Sequence, residues 1–467
     1  MGEVREIQAW QLLAHVCRRW RTLLFGSARR LNLQLIFTPR TPARALDVWP
    51  AFPLVIQGHI SPTSGIDNTV VVLRHSSYIL KIDLWGSSGP ASEEVLAAMQ
   101  QPFPEITHLR LGAYDAPVVP DSFLGGSAPR LQYLHLERIP FPGLPNLLSS
   151  AIHLVELHLH RIPHSGYLPP EVMVTCLSAL TSLERLFLGF QSPQSYPNGE
   201  SRHPPPPTCS ILPTLTYFQF RGVCEYLDHF VARIDTPLLR NLHITFFNQI
   251  DFDSPQLAQF ISRTPMLNGP DEAHVIFHHE MVIIRFLSLS WTSGCHAEFH
   301  VEISCCGSEW QLSSLTQVCA LCLPPLSTVG ILRIEHLISS NHWENGIEDA
   351  EWLNFLRPFE GAKRLYLSSI FTSGVGSSLK RLIGDRIMEV LPTLQNISSR
   401  SHKIEGIEQF VDARQLSGHP ITISREDSPP KLDWLEDMRV CLGIPSPPVR
   451  PNHAIYGSAK SPTATDS

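Results

Sequence analysis

The chain has 467 residues, 43% of them hydrophobic, and a formal net charge of −7 from 36 Lys and Arg against 43 Asp and Glu. That acid excess argues against nucleic acid as the principal partner, and the apolar content is enough for a continuous core. There is no run of about 18 apolar residues and the first ten residues are polar, which argues against a membrane span and a signal peptide. Ten cysteines are scattered without a framework spacing. This usage suits a reducing compartment, so the expected location is intracellular, cytoplasmic or nuclear or both.

Residues 7–25 read as a helix, with Ile7, Trp10, Leu13, Val16, Cys17, Trp20 and Leu24 recurring at three- and four-residue steps along one face. Arg18, Arg19 and Arg21 gather toward its C-terminal part, where positive charge suits the helix dipole. Pro39, Pro42, Pro50 and Pro53 then interrupt any helix, so residues 37–77 are expected to be a transition.

From residue 78 onward one short pattern repeats: apolar, two of any kind, apolar, one of any kind, apolar. It starts at Ile79, Ile106, Leu131, Leu154, Leu183, Leu215 and Leu239, at intervals of 27, 25, 23, 29, 32 and 24 residues. It returns at Val329-Leu332-Ile334 and Ala362-Leu365-Leu367, 33 residues apart. Periods of about 20–29 residues with this pattern belong to leucine-rich repeats. Each copy ends in strict alternation, which predicts a strand with one buried face. Strands separated by helix or loop material should be parallel. A parallel sheet covered on both faces reads as near-continuous apolar runs, and these strands do not. The expected fold is therefore an α/β solenoid over residues 78–424, with helices on a convex face and an open sheet on a concave one.

The open-face side chains can be named from the alternation. Candidate partner-binding residues are Arg110, Tyr133, His135, Glu156, His158, His160, Phe187, Gln219, Arg221, Asn241, His243, Arg333 and Tyr366. Extended surfaces of this kind are how solenoids hold partners. Taken singly, such residues serve to keep an open sheet face soluble.

Helical returns are expected at 93–101 and 171–180. The Pro-rich stretch 191–210 should be a flexible insertion. Between Leu239 and Val329 the pattern lapses for 90 residues, leaving room for two irregular repeats with strands at 273–277, 282–287 and 298–305. Residues 310–323 read as a helix ended by Pro324-Pro325. Residues 425–467, rich in Pro, Ser and Thr, are expected to be disordered.

Trp10-Gln-Leu-Leu-Ala-His-Val16-Cys17-Arg18-Arg19-Trp20-Arg21 resembles the C-terminal half of an F-box. Similarity to a large group of fungal F-box/leucine-rich-repeat proteins continues over about residues 8–424. It runs through Ser27–Leu33, Thr38-Pro-Arg-Thr-Pro42, Leu46-Asp-Val-Trp49-Pro50, Trp310–Leu315, Pro324-Pro-Leu-Ser327, Leu365-Tyr-Leu367, Val390–Asn396 and Ala413–Pro420. The resemblance implies a partial F-box in residues 1–36. Its Leu13, Val16, Cys17 and Trp20 would form the box core or touch a Skp-type adaptor of a cullin–RING ubiquitin ligase. The repeats would hold an unknown protein target, with the chain a monomer within that complex. The family's box opens with a Leu-Pro-x-Glu helix that residues 1–6 do not carry. Either the start of the box is missing from the gene model or ligase recruitment has been lost, leaving an orphan leucine-rich-repeat scaffold.

No nucleophile elbow, phosphate-binding glycine loop or His-Glu-x-x-His helix occurs, so no enzyme, cofactor or catalytic residue is expected. His135 and His158 occupy one slot of neighbouring repeats, with His108, His160 and His243 nearby, and adjacent strands could share a metal. Cysteine or carboxylate ligands are missing from matching slots, so solvated histidines, and no metal, are expected. Cys319 and Cys322 have the spacing of a zinc or redox pair, but a lone pair in a helix reads as core thiols. The basic N-terminal helix is read as packing rather than as a membrane or nucleic-acid contact.

Overall fold

Every apolar position of the nine repeat copies is buried, from Ile79, Ile82 and Leu84 to Ala362, Leu365 and Leu367. The computed structural model describes residues 16–425 apart from 28–29, 32, 44–45, 47–51, 62–64, 87–88, 115–117, 196–208, 250, 288–296, 306–307, 338–347, 383 and 400–405. Leu13, residues 196–208 of the expected insertion and all of the expected tail except Arg425 lie outside the described residues.

The described strands form one sixteen-stranded sheet and a short two-stranded one. β1 (Leu35–Phe37) and β2 (Leu54–Ile60) stand before the repeats, so ordered sheet begins at the end of residues 1–36, expected to be helical, and continues inside the stretch expected to be a transition. Then come β3 (Ile79–Gly86), β4 (His108–Ala113), β5 (Tyr133–Glu137), β6 (Glu156–Ile162) and β7 (Arg185–Phe190). β8 (Ser210–Ile211) pairs in the small sheet with β10 (Ile234–Asp235), while β9 (Tyr217–Gly222) and β11 (Asn241–Phe246) continue the large one. The register places Leu134 beside Leu157 and Leu157 beside Leu186, so identical slots line up strand after strand. Each buried leucine contributes roughly 1.5–3 kcal/mol, and the continuous apolar ladder is the spine of the molecule.

Eleven helices connect the strands among the described residues: α1 (Arg18–Gly26), α2 (Ile66–Leu73), α3 (Pro90–Ala98), α4 (Leu144–Ser150), α5 (Pro170–Ser178), α6 (Cys224–Val231), α7 (Pro255–Arg263), α8 (Ser308–Leu321), α9 (Asp349–Leu356), α10 (Ser369–Lys380) and α11 (Ile407–Leu416). Pro145, Pro170 and Pro255 sit in the first turn of α4, α5 and α7, where their missing N–H would have no partner anyway. The helices between repeats turn a stripe onto the leucine ladder, with Leu147 and Leu148 from α4, Met173 and Leu177 from α5, and Leu227 and Phe230 from α6. Among the described residues no helix is long and apolar enough to cross a membrane.

Two expectations need correction. In the irregular stretch, β12 (Glu272–His278), β13 (Met281–Leu287) and β14 (Glu298–Ser304) fall where strands are expected, but they do not continue the parallel stack. β12 pairs antiparallel with β13 and β13 antiparallel with β14, and β14, not β12, lies beside β11. The chain thus runs ahead, folds back by two hairpin steps, and resumes beside β12 with β15 (Ile331–His336). β16 (Arg364–Leu367), β17 (Asn396–Ser399) and β18 (Thr422–Arg425) complete the sheet. The two residues between β12 and β13 leave no room for a helical crossover, so these strands must be antiparallel. Both faces of the hairpin are closed, with His274, Ile276 and Ile283 each 1% exposed.

The second correction concerns the helix expected over residues 7–25, which among the described residues begins only at Arg18, after an extended Cys17. Of α1's own residues only Leu24 is buried, whereas Val16 is 63% and Trp20 48% exposed and Cys17 is exposed just before the helix. Within the described residues these side chains form no packed box. Cys319 and Cys322 are buried in the core and burial pushes both thiols upward, Cys322 to about 12, as expected of core cysteines rather than reactive ones.

Candidate functional site

Strand alternation leaves three parallel rows of side chains on the sheet face opposite the helices. In the central row, register sets Asp83 beside Arg110, Arg110 beside His135, His135 beside His158, and His158 beside Phe187. It continues through Gln219 to His243 and, across the hairpin, to His300, Arg285 and His274 before reaching Arg333 and Tyr366. One flanking row carries His108, Tyr133, Glu156, Arg185, Tyr217 and Asn241, and the other Glu137, His160, Gly189 and Arg221.

Neighbouring strands lie about 4.8 Å apart, close to the thickness of stacked rings, so flat side chains at matching slots seal one another. Phe187 stacks on His158 at 3.9 Å between ring centroids, and His158 on His135 at 5.5 Å. Tyr217 continues the stack from Phe187 at 4.9 Å, and His243 stacks on His300 at 5.2 Å. His135, His158 and Phe187 are consequently buried at 8–9% exposure, although they are expected in solvent. Lateral contact within the row hides them, since the face carries only short, flat or paired groups. Of the other candidates, Arg110, Tyr133, Glu156, His160, Gln219, Asn241, His243, Arg333 and Tyr366 are half-buried and Arg221 is exposed.

Charges on the face pair between strands. Glu156 accepts from His158 Nε2 at 2.9 Å and lies 3.9 Å from Arg185, Glu137 pairs with Arg161 at 3.1 Å, and Asp83 lies 3.9 Å from Arg110. Arg333 donates to Glu272 at 2.5 Å while its guanidinium lies 3.8 Å over the Tyr366 ring. Arg285 pairs with Glu298, whose carboxyl is raised by burial but pulled down to about 2 by His243 and Arg285. Burial, with His160, Arg110 and His158 adding repulsion, holds His135 down to about 3, and burial with His158, Arg161 and Arg110 holds His160 down to about 4. Burial also lowers His158, outweighing the opposing pull of Glu156. At neutral pH these imidazoles are uncharged.

Gly189 leaves a gap in the flanking row between His160 and Arg221. There the face opens into a pocket of about 260 Å³ lined by His135, Glu137, His160, Arg161, Phe187 and Arg221 among others. A Cβ on Gly189 would meet only ordinary contacts, the nearest 3.5 Å away at Arg221, so the gap reflects residue choice and not backbone crowding. One ligand-capable atom from each of His135, His158 and His160 lies within 4.8 Å of the others, three of the five open-face histidines that the repeat pattern sets near one another.

Sequence reasoning missed His300, Arg285, His274 and Glu298, which join the central and flanking rows from the hairpin. The alternation in β14 was visible, but its neighbour on the sheet was not, because the hairpin reverses strand order.

No family model matches the chain, and no curated protein matches it. Among solved structures the chain is similar to the leucine-rich-repeat-containing protein LegL7 from Legionella pneumophila, with 13% identity and a TM-score of 0.28 over 78% of this chain and 99% of that one.

Proposed function

We propose that the protein is a non-enzymatic binding adaptor whose working surface is the open sheet face between β3 and β11 and on β15 and β16. The observation that carries this reading is the central row itself. Flat histidine and phenylalanine side chains stand in register across successive strands, flanked by Arg110, Tyr133, Arg185 and Tyr217, of the types favoured at binding hot spots. The lateral stacking holds them in fixed conformations, which reduces the ordering cost of association. The pocket at Gly189 supplies a recess beside that ridge for an anchoring group. A photo-crosslinking residue placed at Arg221 should capture the bound protein, whereas one at Val172 on α5 should not. Equal capture from both positions would remove the face assignment.

The finer reading, carried by the resemblance of residues 10–21, is a substrate receptor of a Skp-cullin-F-box ligase in the ubiquitin-conjugation pathway. Exposed Val16, Trp20 and Leu23 supply apolar surface of the kind an adaptor would cover. Purification with a Skp-type adaptor should retain that adaptor, and Trp20→Ala should release it. A second reading is an orphan scaffold without ligase recruitment, in which the apolar side chains of α1 stay uncovered. Absence of adaptor from both preparations would select it.

A further inference from the structure

Within the open face, we propose that His135, His158 and His160 form a binding site for one divalent transition-metal ion of the zinc class, with a coordination position left open toward the Gly189 pocket. The site is independent of which protein the face holds, and its test needs no partner.

The geometry begins with strand periodicity. His158 and His160 are two apart on β6 and so project from the same face, while register sets His135 directly beside His158 and Glu137 beside His160. Ring centroids are 5.0 Å apart for His135 and His160 and 5.8 Å for His158 and His160. Zinc binds imidazole nitrogen at about 2.0–2.1 Å, which requires nitrogens roughly 3.3 Å apart in a tetrahedral site. The present separations, within 4.8 Å, close to that value when the imidazoles turn out of their stack, on a backbone that adjacent strands already hold.

The hydrogen bonds around the cluster orient the lone pairs. Glu156 accepts from His158 Nε2, which leaves Nδ1 as that residue's donor to a metal. The Tyr133 hydroxyl lies 3.4 Å from His135 Nδ1, and when Nδ1–H is given to it, Nε2 is the ligating nitrogen. That Nε2 is buried and makes no hydrogen bond, an expense that coordination would remove. Carboxylate and hydroxyl groups behind ligating histidines are the usual outer support of such sites.

Three imidazoles without thiolates suit zinc, cobalt, nickel or copper and not magnesium or calcium. Glu137 Oε2 lies 3.8 Å from His135 Nε2 while Arg161 holds the other oxygen, Oε1, at 3.1 Å, so the carboxylate borders the fourth position. Arg161 and Arg221 line the same pocket, favouring an anionic group or hydroxide there. The molecule carries its own control: His243 and His300 stack in the same row but belong to no grouping of three ligands among the described residues.

The test is calorimetric titration of the chelator-treated full chain with ZnCl2, repeated with CoCl2 and followed by visible absorption. The expected result is one ion per chain, tetrahedral cobalt bands without thiolate charge transfer, and loss of uptake in His160→Gln. Glu156→Gln should weaken binding by about 10–100-fold, and His243→Gln should leave it unchanged. His160 is half-buried outside the leucine core, and circular dichroism will show whether its variant is folded. No uptake by the unaltered chain, uptake that survives His160→Gln, or a thiolate band pointing to exposed Cys17 or Cys209 would each overturn the site.

Discussion

Phe187 lies nearly flat on His158, with centroids 3.9 Å apart and planes 16° from parallel, although both project from the sheet face opposite the described helices. This pair makes the face a rigid ridge instead of a fringe of mobile polar groups. Phe187→Ala should cost about 3 kcal/mol in urea unfolding, a value ordinarily met in cores. A cost near zero would mean the stack is not part of the folded state's stability.

Leu136 and His135 are neighbours on opposite faces, and aspartate at each separates the faces. Leu136→Asp forfeits roughly 1.5–3 kcal/mol of apolar burial and strands a carboxylate in the ladder at a cost of several more. His135→Asp lets the carboxylate turn toward solvent and Arg110, its neighbour in the row. It should lower the melting temperature far less, though measurably, because His135 is part of the stack. Equal losses would contradict the facing.

Thr245, Glu302 and Ile283 occupy one row across β11, β14 and β13, yet Ile283 is 1% exposed and Thr245 half-buried. Ile283→Ala should cost about 2–5 kcal/mol, as in a core, and Thr245→Ala well under half of that. The comparison, made by chemical unfolding, tests whether the hairpin buries its second face more deeply than the parallel strand β11 does.

Stability should fall on acidification through buried histidines. Burial first, then His243 and Arg285, holds His300 down to about 3 against the opposing pull of Glu298, and burial with His278 holds His336 to about 4. Folded values below the ordinary 6.5 mean the unfolded chain takes up the proton first as pH drops. The stability attached to these groups is therefore complete above 6.5 and declines down to about 3–4. His300→Gln should flatten the pH dependence of the unfolding free energy across that window. An unchanged slope would show that His300 is not held neutral by the fold.

The repeat spacing and alternation by themselves determined the parallel strands, their buried positions and the identity of the open-face side chains. These are local properties, since a period of two on a strand assigns every residue to a face whatever lies beside it. Only the tertiary structure decided strand order through residues 272–304, because a hairpin and a crossover can carry similar alternating sequences and differ in which neighbour each strand meets. It also decided that His135, His158 and Phe187 are buried and that His160 joins the first two. Stacking depends on what stands 4.8 Å away on the next strand, and that neighbour is 23 to 29 residues distant in sequence.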